Sequence, residues 1–253
     1  MSSQEITLAP LTYTPEDWER WDALLDRYAT QVGVALSSQQ RRLCLEHLLY
    51  VQQVNQTINL TRIDSVRDGL LLHLADSLSL VPYIPQSVSL VLDIGTGAGF
   101  PGLPIHIATG LPAVLMDSVG KKVAVVDKID QALELNHVTC VHARAEQYAT
   151  SHKHSIDLVV ARAVSSLPVL LEYASPLLRD NGYVLLAKGT PESEEIKKGD
   201  QVAQICGLKR LCLKSFELPE KAGHRTVLLY QKTRPASIKL PRAVGLARKN
   251  PLA

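Results

Sequence analysis

The sequence predicts an α/β fold, a seven-stranded and mostly parallel sheet covered by helices, with an N-terminal helical appendage. Three observations predict it. From Val88 onward, short apolar runs alternate with segments of helical period. The first run, Val88 to Ile94, contains Asp93 near its end and then breaks into Gly95, Gly97, Gly99 and Gly102; a buried parallel strand that turns sharply into a helix has this pattern. Finally, Leu208 to Leu218 and Thr226 to Gln231 are joined by the short loop Pro219 to Arg225, which permits an antiparallel pair at the end of the sheet.

In chain order, Thr14-Pro15-Glu16-Asp17 is a helix start: a capping hydroxyl, a proline at the first helical position and acids at the positive end of the dipole. Trp18, Trp21, Leu24, Leu25 and Tyr28 then recur at core-facing spacing. A second helix should start at Ser37 or Ser38 and turn Leu43, Leu48 and Val51 inward. A third, from Asp64 or Ser65, should bury Leu70, Leu71, Leu74 and Leu78. His73 and Asp76 are three apart on that helix, which predicts a hydrogen-bonded surface pair; no further ligand has the spacing a metal site needs.

Past the glycine-rich stretch, Pro101 is placed to open the next helix. Further strands are expected at Ala113 to Met116, Val138 to Val141, Ile156 to Val160 and Tyr183 to Ala187. Strand ends in such sheets are where ligands bind, so Asp117, Arg144-Ala145-Glu146, Ala161-Arg162-Ala163 and Lys188-Gly189 are site candidates. The 253 residues suffice for one large domain and an appendage. The expected division is a helical region over 1–84, a cofactor-binding domain over 85–233 and a basic tail over 234–253.

The stretch Leu90 to Met116 is long and apolar but holds an aspartate, five glycines and three prolines, and could not satisfy its backbone in lipid. Met1 to Pro10 has no basic region followed by an apolar core, so no secretion signal is expected. Cys44, Cys140, Cys206 and Cys212 form no C-x-x-C pair and lie in largely apolar surroundings, as reduced cysteines of a cytoplasmic protein do. The formal charge of +2 hides an asymmetry: residues 1–220 carry −6, and residues 221–253 carry +8 with no acid. A basic end on an acidic chain suggests a polyanionic partner. On this reading the basic segment from Lys221 onward contributes affinity for RNA and nothing to cofactor binding.

Gly97 to Gly102 spells G-x-G-x-x-G, the dinucleotide fingerprint. The phasing favours a different cofactor, because Asp93 lies within the strand and Gly95, Gly97 and Gly99 follow as G-x-G-x-G. This resembles the first motif of S-adenosylmethionine-dependent methyltransferases, in which the acid helps hold the methionine end of the cofactor. Seven strands ending in a hairpin also fit that Rossmann-like methyltransferase sheet better than six parallel strands. Asp117, 24 residues beyond Asp93, sits where a second-strand acid meets ribose hydroxyls, with Ser118 beside it; a helix cap is an equal reading of Asp117.

From Asn59 to Pro251 the chain resembles the bacterial 16S rRNA guanine-N7 methyltransferase family, also called the glucose-inhibited division protein B family. The resemblance rests on Asn59-Leu60-Thr61, His73-x-x-Asp76-Ser77, Asp93 to Gly102 with its Phe100-Pro101-Gly102 end, Asp117-Ser118 with Lys121-Lys122, Arg144-Ala145-Glu146, Ala161-Arg162-Ala163 and Lys188-Gly189. It implies S-adenosyl-L-methionine as cofactor, lying against Gly95, Phe100, Ala145, Glu146 and Arg162, and 16S rRNA or the small ribosomal subunit as partner. The tail Leu240 to Leu252 is similar to the family's basic ending but lacks its usual second proline.

The residues agree in part with a ring-nitrogen target. Exocyclic amine methylation typically shows an Asn/Asp-Pro-Pro-aromatic signature after the fourth strand, where this chain reads Arg162-Ala163-Val164-Ser165; a cysteine nucleophile for carbon methylation is missing, since Cys140 falls within the third strand. Guanine N7 has a free lone pair and needs neither, so orientation can do most of the work. Arg162, Lys188 and Arg225 are then the residues to hold the guanosine and its phosphates, with structural ion pairs as the plain alternative for each. A monomer without membrane attachment is expected. The competing functions are a nicotinamide-dependent oxidoreductase on the same glycine loop, and a non-catalytic RNA-binding assembly factor.

Overall fold

In the computed structural model, which describes residues 6–253, the chain opens with the capped helices the sequence predicts. Part of Met1 to Pro10, where no secretion signal is expected, lies outside the described residues. Helix α1 (Pro15–Gln31) is capped by the Thr14 hydroxyl, which accepts from Asp17 N, and α2 (Ser38–Asn55) by a reciprocal Ser37–Gln40 capping box. Helix α3 (Val66–Gly69) starts from a Ser65 cap and runs on through a π-helical stretch, Leu70–Ala75, into α4 (Asp76–Leu78). Leu25, Tyr28, Leu48, Val51, Leu70, Leu74 and Leu78 are buried as expected, whereas Trp18 and Trp21 pack only partly against the core.

The sheet has seven strands in the order β3-β2-β1-β4-β5-β7-β6. Their spans are β1 (Val91–Ile94), β2 (Ala113–Asp117), β3 (Val138–His142), β4 (Ile156–Arg162), β5 (Leu178–Lys188), β6 (Leu208–Glu217) and β7 (His224–Lys232). The first five pair in parallel, while β7 runs antiparallel between β5 and β6, so the terminal hairpin is real. The intervening helices are α5 (Gly102–Thr109), α6 (Gly120–Ala132), α7 (Ala145–Ser151), α8 (Leu167–Ala174) and α9 (Ser193–Ile205), with a short α10 (Leu246–Lys249) in the tail. Pro101 precedes α5 as its cap and does not open it.

One apolar cluster joins the N-terminal helices to α5, α6 and the sheet through Leu45, Leu70, Phe100, Leu103, Leu115 and Val125. A second, on the opposite face, packs Leu167, Leu171, Leu186 and Val202 with Ala247 of the tail. The parallel register brings Asp93, Asp117, Arg162 and Lys188 to the carboxyl edge of the sheet, and Arg225 enters that edge from the start of the antiparallel β7. Among the described residues no helix is long and apolar enough to cross a membrane, no group of residues could hold a metal ion, and all four cysteines are free. Burial pushes the Cys44 thiol up to about 12, so it packs as a small apolar side chain.

Candidate active site

Two cavities open at the carboxyl edge. The first is lined by the ends of β1 to β4, including Gly95, Asp117, Ser118, Ala145 and Glu146. Asp117 ties two strand ends together: one carboxylate oxygen accepts from Gly97 N at 3.0 Å, the other from Val119 N at 2.9 Å ahead of α6. Asp117 thus braces the loop and faces the cavity, while the cap position of α6 falls to Val119. Glu146 accepts from Gly245 N at 2.8 Å and is otherwise turned to the same space.

The remaining residues named for the cofactor do not line this cavity. Asp93 is fully buried, and one of its oxygens accepts from Gly102 N at 2.9 Å, at the start of α5. Gly99 has φ +91, and a Cβ there would come within 2.9 Å of His47 Nε2 and of Leu103, so the close approach it serves is packing within the protein. The Phe100 ring is held between His47 and His73, 4.4 Å from each centroid, and does not face the cavity. Arg162 belongs to the second cavity. Gly97 is different: with φ +60, its missing side chain would meet nothing nearer than Gly95 O at 4.0 Å, and that side of the loop stays open.

The second cavity, of about 480 Å³, is lined by Arg162, Lys188 and Arg225 together with His73 and Asp76. Asp76 is the hub. Its Oδ2 accepts from Arg162 Nη1 at 2.9 Å and its Oδ1 from Arg225 Nε at 2.8 Å, with the carboxylate almost wholly buried. The surface pair expected of His73 and Asp76 is corrected accordingly: both are buried, and each bonds to other segments. The π-helical stretch makes this possible, since its widened turn frees the Leu72 carbonyl to accept from Arg162 at 2.8 Å.

His73 Nδ1 faces Arg162 Nη2 at 3.2 Å and its Nε2 faces Thr61 Oγ1 at 2.9 Å. Because a guanidinium only donates, Nδ1 is the bare nitrogen and Nε2 carries the proton. Burial, then Arg162 and His47, lower its pKa to about 3, so His73 is neutral. Lys188 donates to Glu195 Oε1 at 2.8 Å and to Ser165 O at 2.9 Å. All three predicted cations are thus brought together, each in an ion pair, and with Asp76 and Glu195 their summed charge is +1.

The chain that carries these two cavities on a seven-stranded sheet has relatives. A family model described as rRNA small subunit methyltransferase G matches residues 40–224. The chain is 40% identical over 203 residues to the ribosomal RNA small subunit methyltransferase G of Desulfitobacterium hafniense (strain Y51), covering 78% of this chain and 83% of that one. It belongs to this family. The corresponding protein of Acetivibrio thermocellus is 35% identical over 232 residues, 90% of this chain and 96% of that one. Among solved structures, a SAM-dependent methyltransferase from Aquifex aeolicus shares the fold at a TM-score of 0.51 and 14% identity, over 69% of this chain and 97% of that one. A ribosomal protein L11 methylase from Lactobacillus delbrueckii subsp. bulgaricus does so at 0.51 and 14%, over 64% and 79%.

The family's glycine loop offers a test of the cofactor. A diphosphate would need the N-terminus of α5, but the Asp93 carboxyl already occupies it, accepting from Gly102 N. A nicotinamide dinucleotide does not fit there. S-adenosylmethionine brings hydroxyls, an amine and an ammonium, and the residues suit them: the acids Asp117 and Glu146 face the cleft as acceptors, and Gly97 leaves one side of the loop open.

Sequence reading missed Asp76 as the hub, and Val164, Tyr173 and Arg248 as walls of the first cavity. A signal for Asp76 was present. Leu70 to Leu80 is apolar apart from His73, Asp76, Ser77 and Ser79, and a helix buried all round must pair every polar side chain it carries. No comparable signal exists for Arg248. The basic tail was expected to stand apart from cofactor binding; instead its Arg248 lines the cavity and its Gly245 amide bonds Glu146.

Proposed function

We propose that this chain transfers a methyl group from S-adenosyl-L-methionine to N7 of a guanine in 16S rRNA, acting as a cytoplasmic monomer on the rRNA or the small ribosomal subunit. The observation that carries this reading is the pairing, on one sheet edge and in a chain of this family, of an acid-lined cleft with a cation-lined one. When bound, the cofactor supplies a sulfonium methyl group; the C–S bond breaks as the N7 lone pair forms the new N–C bond, and no proton moves.

The chain's own residues then bind and orient. On this reading Asp117 and Glu146 accept from the ribose hydroxyls and the adenine amine, and the buried Asp93, behind the glycine loop, acts toward the methionine end of the cofactor. Arg162, Lys188 and Arg225 hold the guanosine, and a guanidinium or ammonium reaching O6 would fix the base while N7 faces the methyl group. Asp76 and Glu195 temper these cations. The methylated ring becomes cationic, and three uncompensated charges beside it would oppose the reaction. His73, with both nitrogens engaged, has no proton to offer or take, in keeping with a displacement that needs none.

The test is mass mapping of modified nucleosides in 16S rRNA from cells with and without this protein, together with calorimetry of the purified chain. The expected outcome is loss of one 7-methylguanosine and tight binding of S-adenosylmethionine, with no heat from a nicotinamide dinucleotide. Unchanged rRNA with retained RNA binding would leave an assembly factor in its place.

A further inference from the structure

The first cavity holds only about 60 Å³, whereas small-molecule sites usually offer several hundred. From the tail, Arg248 joins Val164 and Tyr173 in its wall. Arg242 forms a two-pronged ion pair with the buried Glu172, at 2.7 and 2.6 Å, and Ala247 is inserted among the residues packed against α8. Arg242 Nη2 also donates to Asn250 O at 2.9 Å, tying the tail's far end to its root, and between these ties two hydrogen bonds hold the tail at the cavity. Gly245 N donates to Glu146 Oε1 at 2.8 Å, and Arg248 Nη2 donates to Val164 O at 3.2 Å.

The second bond has a consequence inside the cavity. Val164 follows Ala163, whose φ of +55 is left-handed, and its side chain lies over Gly95, where an added Cβ would be only 2.6 Å from Val164 Cγ2. By holding the Val164 carbonyl, Arg248 holds that side chain over the glycine loop. Arg248 is itself exposed, so this hold is open to solvent and weakly protected from competition.

We propose that Gly245 to Lys249 is a strap across the cofactor cavity and that Arg248 is its latch, a positioning residue that must release Val164 before S-adenosylmethionine enters or leaves. This rests on the cofactor assignment made above. Arg242 and Glu172 keep the strap's root fixed while Gly245, in the left-handed region with nothing within 4 Å of an added Cβ, supplies the bend.

The experiment measures association and dissociation rates of labelled S-adenosylmethionine on the full chain, on Arg248→Ala, on Arg248→Lys and on a chain ending at Val244, with melting temperature as a control. Both rates should rise at least fivefold in Arg248→Ala and further in the shortened chain, with melting of Arg248→Ala unchanged. Lysine, which still donates to a carbonyl, should restore much of the slow exchange; a merely structural arginine would not give that pattern. Hydrogen exchange at the Gly245 amide should quicken in Arg248→Ala. Rates within twofold of the parent in Arg248→Ala overturn the latch, whatever the shortened chain does. Failure of the parent itself to bind the cofactor overturns the assignment on which it rests, and the latch with it.

Discussion

The first cavity takes nearly all its inner wall from one stretch of chain, Ile94 to Glu146, in which three successive strand ends each turn into a helix. The second is assembled from distant segments: Asp76 receives Arg162 from 86 residues away and Arg225 from 149. The first is a property of local turns repeated by a parallel sheet. The second exists only once the N-terminal helices dock and the antiparallel β7 inserts beside β5. Turn backbone and strand-end acids shape the first cavity, whereas buried ion pairs shape the second. Substitutions should therefore separate the two functions.

The sharpest separation is expected at Gly97. Its φ of +60 and open flank mean that leucine there would be strained and would also project into the space the loop leaves clear. An overpacking clash of about 3 kcal/mol corresponds to about a hundredfold in affinity. Gly97→Leu should abolish measurable S-adenosylmethionine binding by calorimetry while RNA binding, which draws on the other cavity, persists. Equal loss of both would show that the two cavities form one cooperative unit.

A converse effect is expected at Asp76. Removing a buried partner leaves the charges it paired uncompensated, at a cost of about 3 kcal/mol or more, and misplacing reactants by about an ångström can cost about a hundredfold in rate. Asp76→Ala should lower thermal stability and cut single-turnover methylation by about that factor, with cofactor affinity within about threefold of the parent. Near-parent turnover in a folded Asp76→Ala protein would show that Arg162 and Arg225 need no common acceptor.

The same contrast governs what could be read before the structure. The sheet, its hairpin, the capped helices and the glycine loop follow from periodicity and capping, which act over a few residues. That Asp117 and Glu146 line a cavity was legible because strand ends predict where clefts open. Phe100 was placed correctly in the chain but its ring serves an aromatic stack with His47 and His73, a contact between α2, the π-helical stretch and the loop that no local pattern announces. Asp76 was read as a surface residue because its spacing to His73 was weighed and its apolar surroundings were not. Arg248 reaches its cavity from 84 residues past Val164, and its charge suggested only a polyanion.

The smallest effect, at Asp93, tests whether the glycine loop is held in a state that waits for its ligand. Burial raises its carboxyl to about 7, against the pull of hydrogen bonds from the Thr96 hydroxyl and Gly102 N and of the Arg162 charge. In the unfolded chain it titrates near 4. Below about pH 4 both states hold the proton and Asp93 has no effect on stability; between about 4 and 7 the unfolded state ionises while the folded state keeps its proton, so stability falls; above about 7 the penalty is complete, on the order of a few kcal/mol. Asp93→Asn removes that titration but leaves a buried amide in place of the carboxyl, a cost that does not depend on pH. The melting temperature of the variant relative to the parent should therefore rise steadily from pH 4 to pH 8, by several degrees at about 2 to 4 °C per kcal/mol for a chain of this size. Saturating S-adenosylmethionine should shrink the rise in the parent comparison, because its ammonium would draw the carboxyl down. A difference flat across this range would mean that Asp93 is ionised throughout and that the loop needs no ligand to settle it.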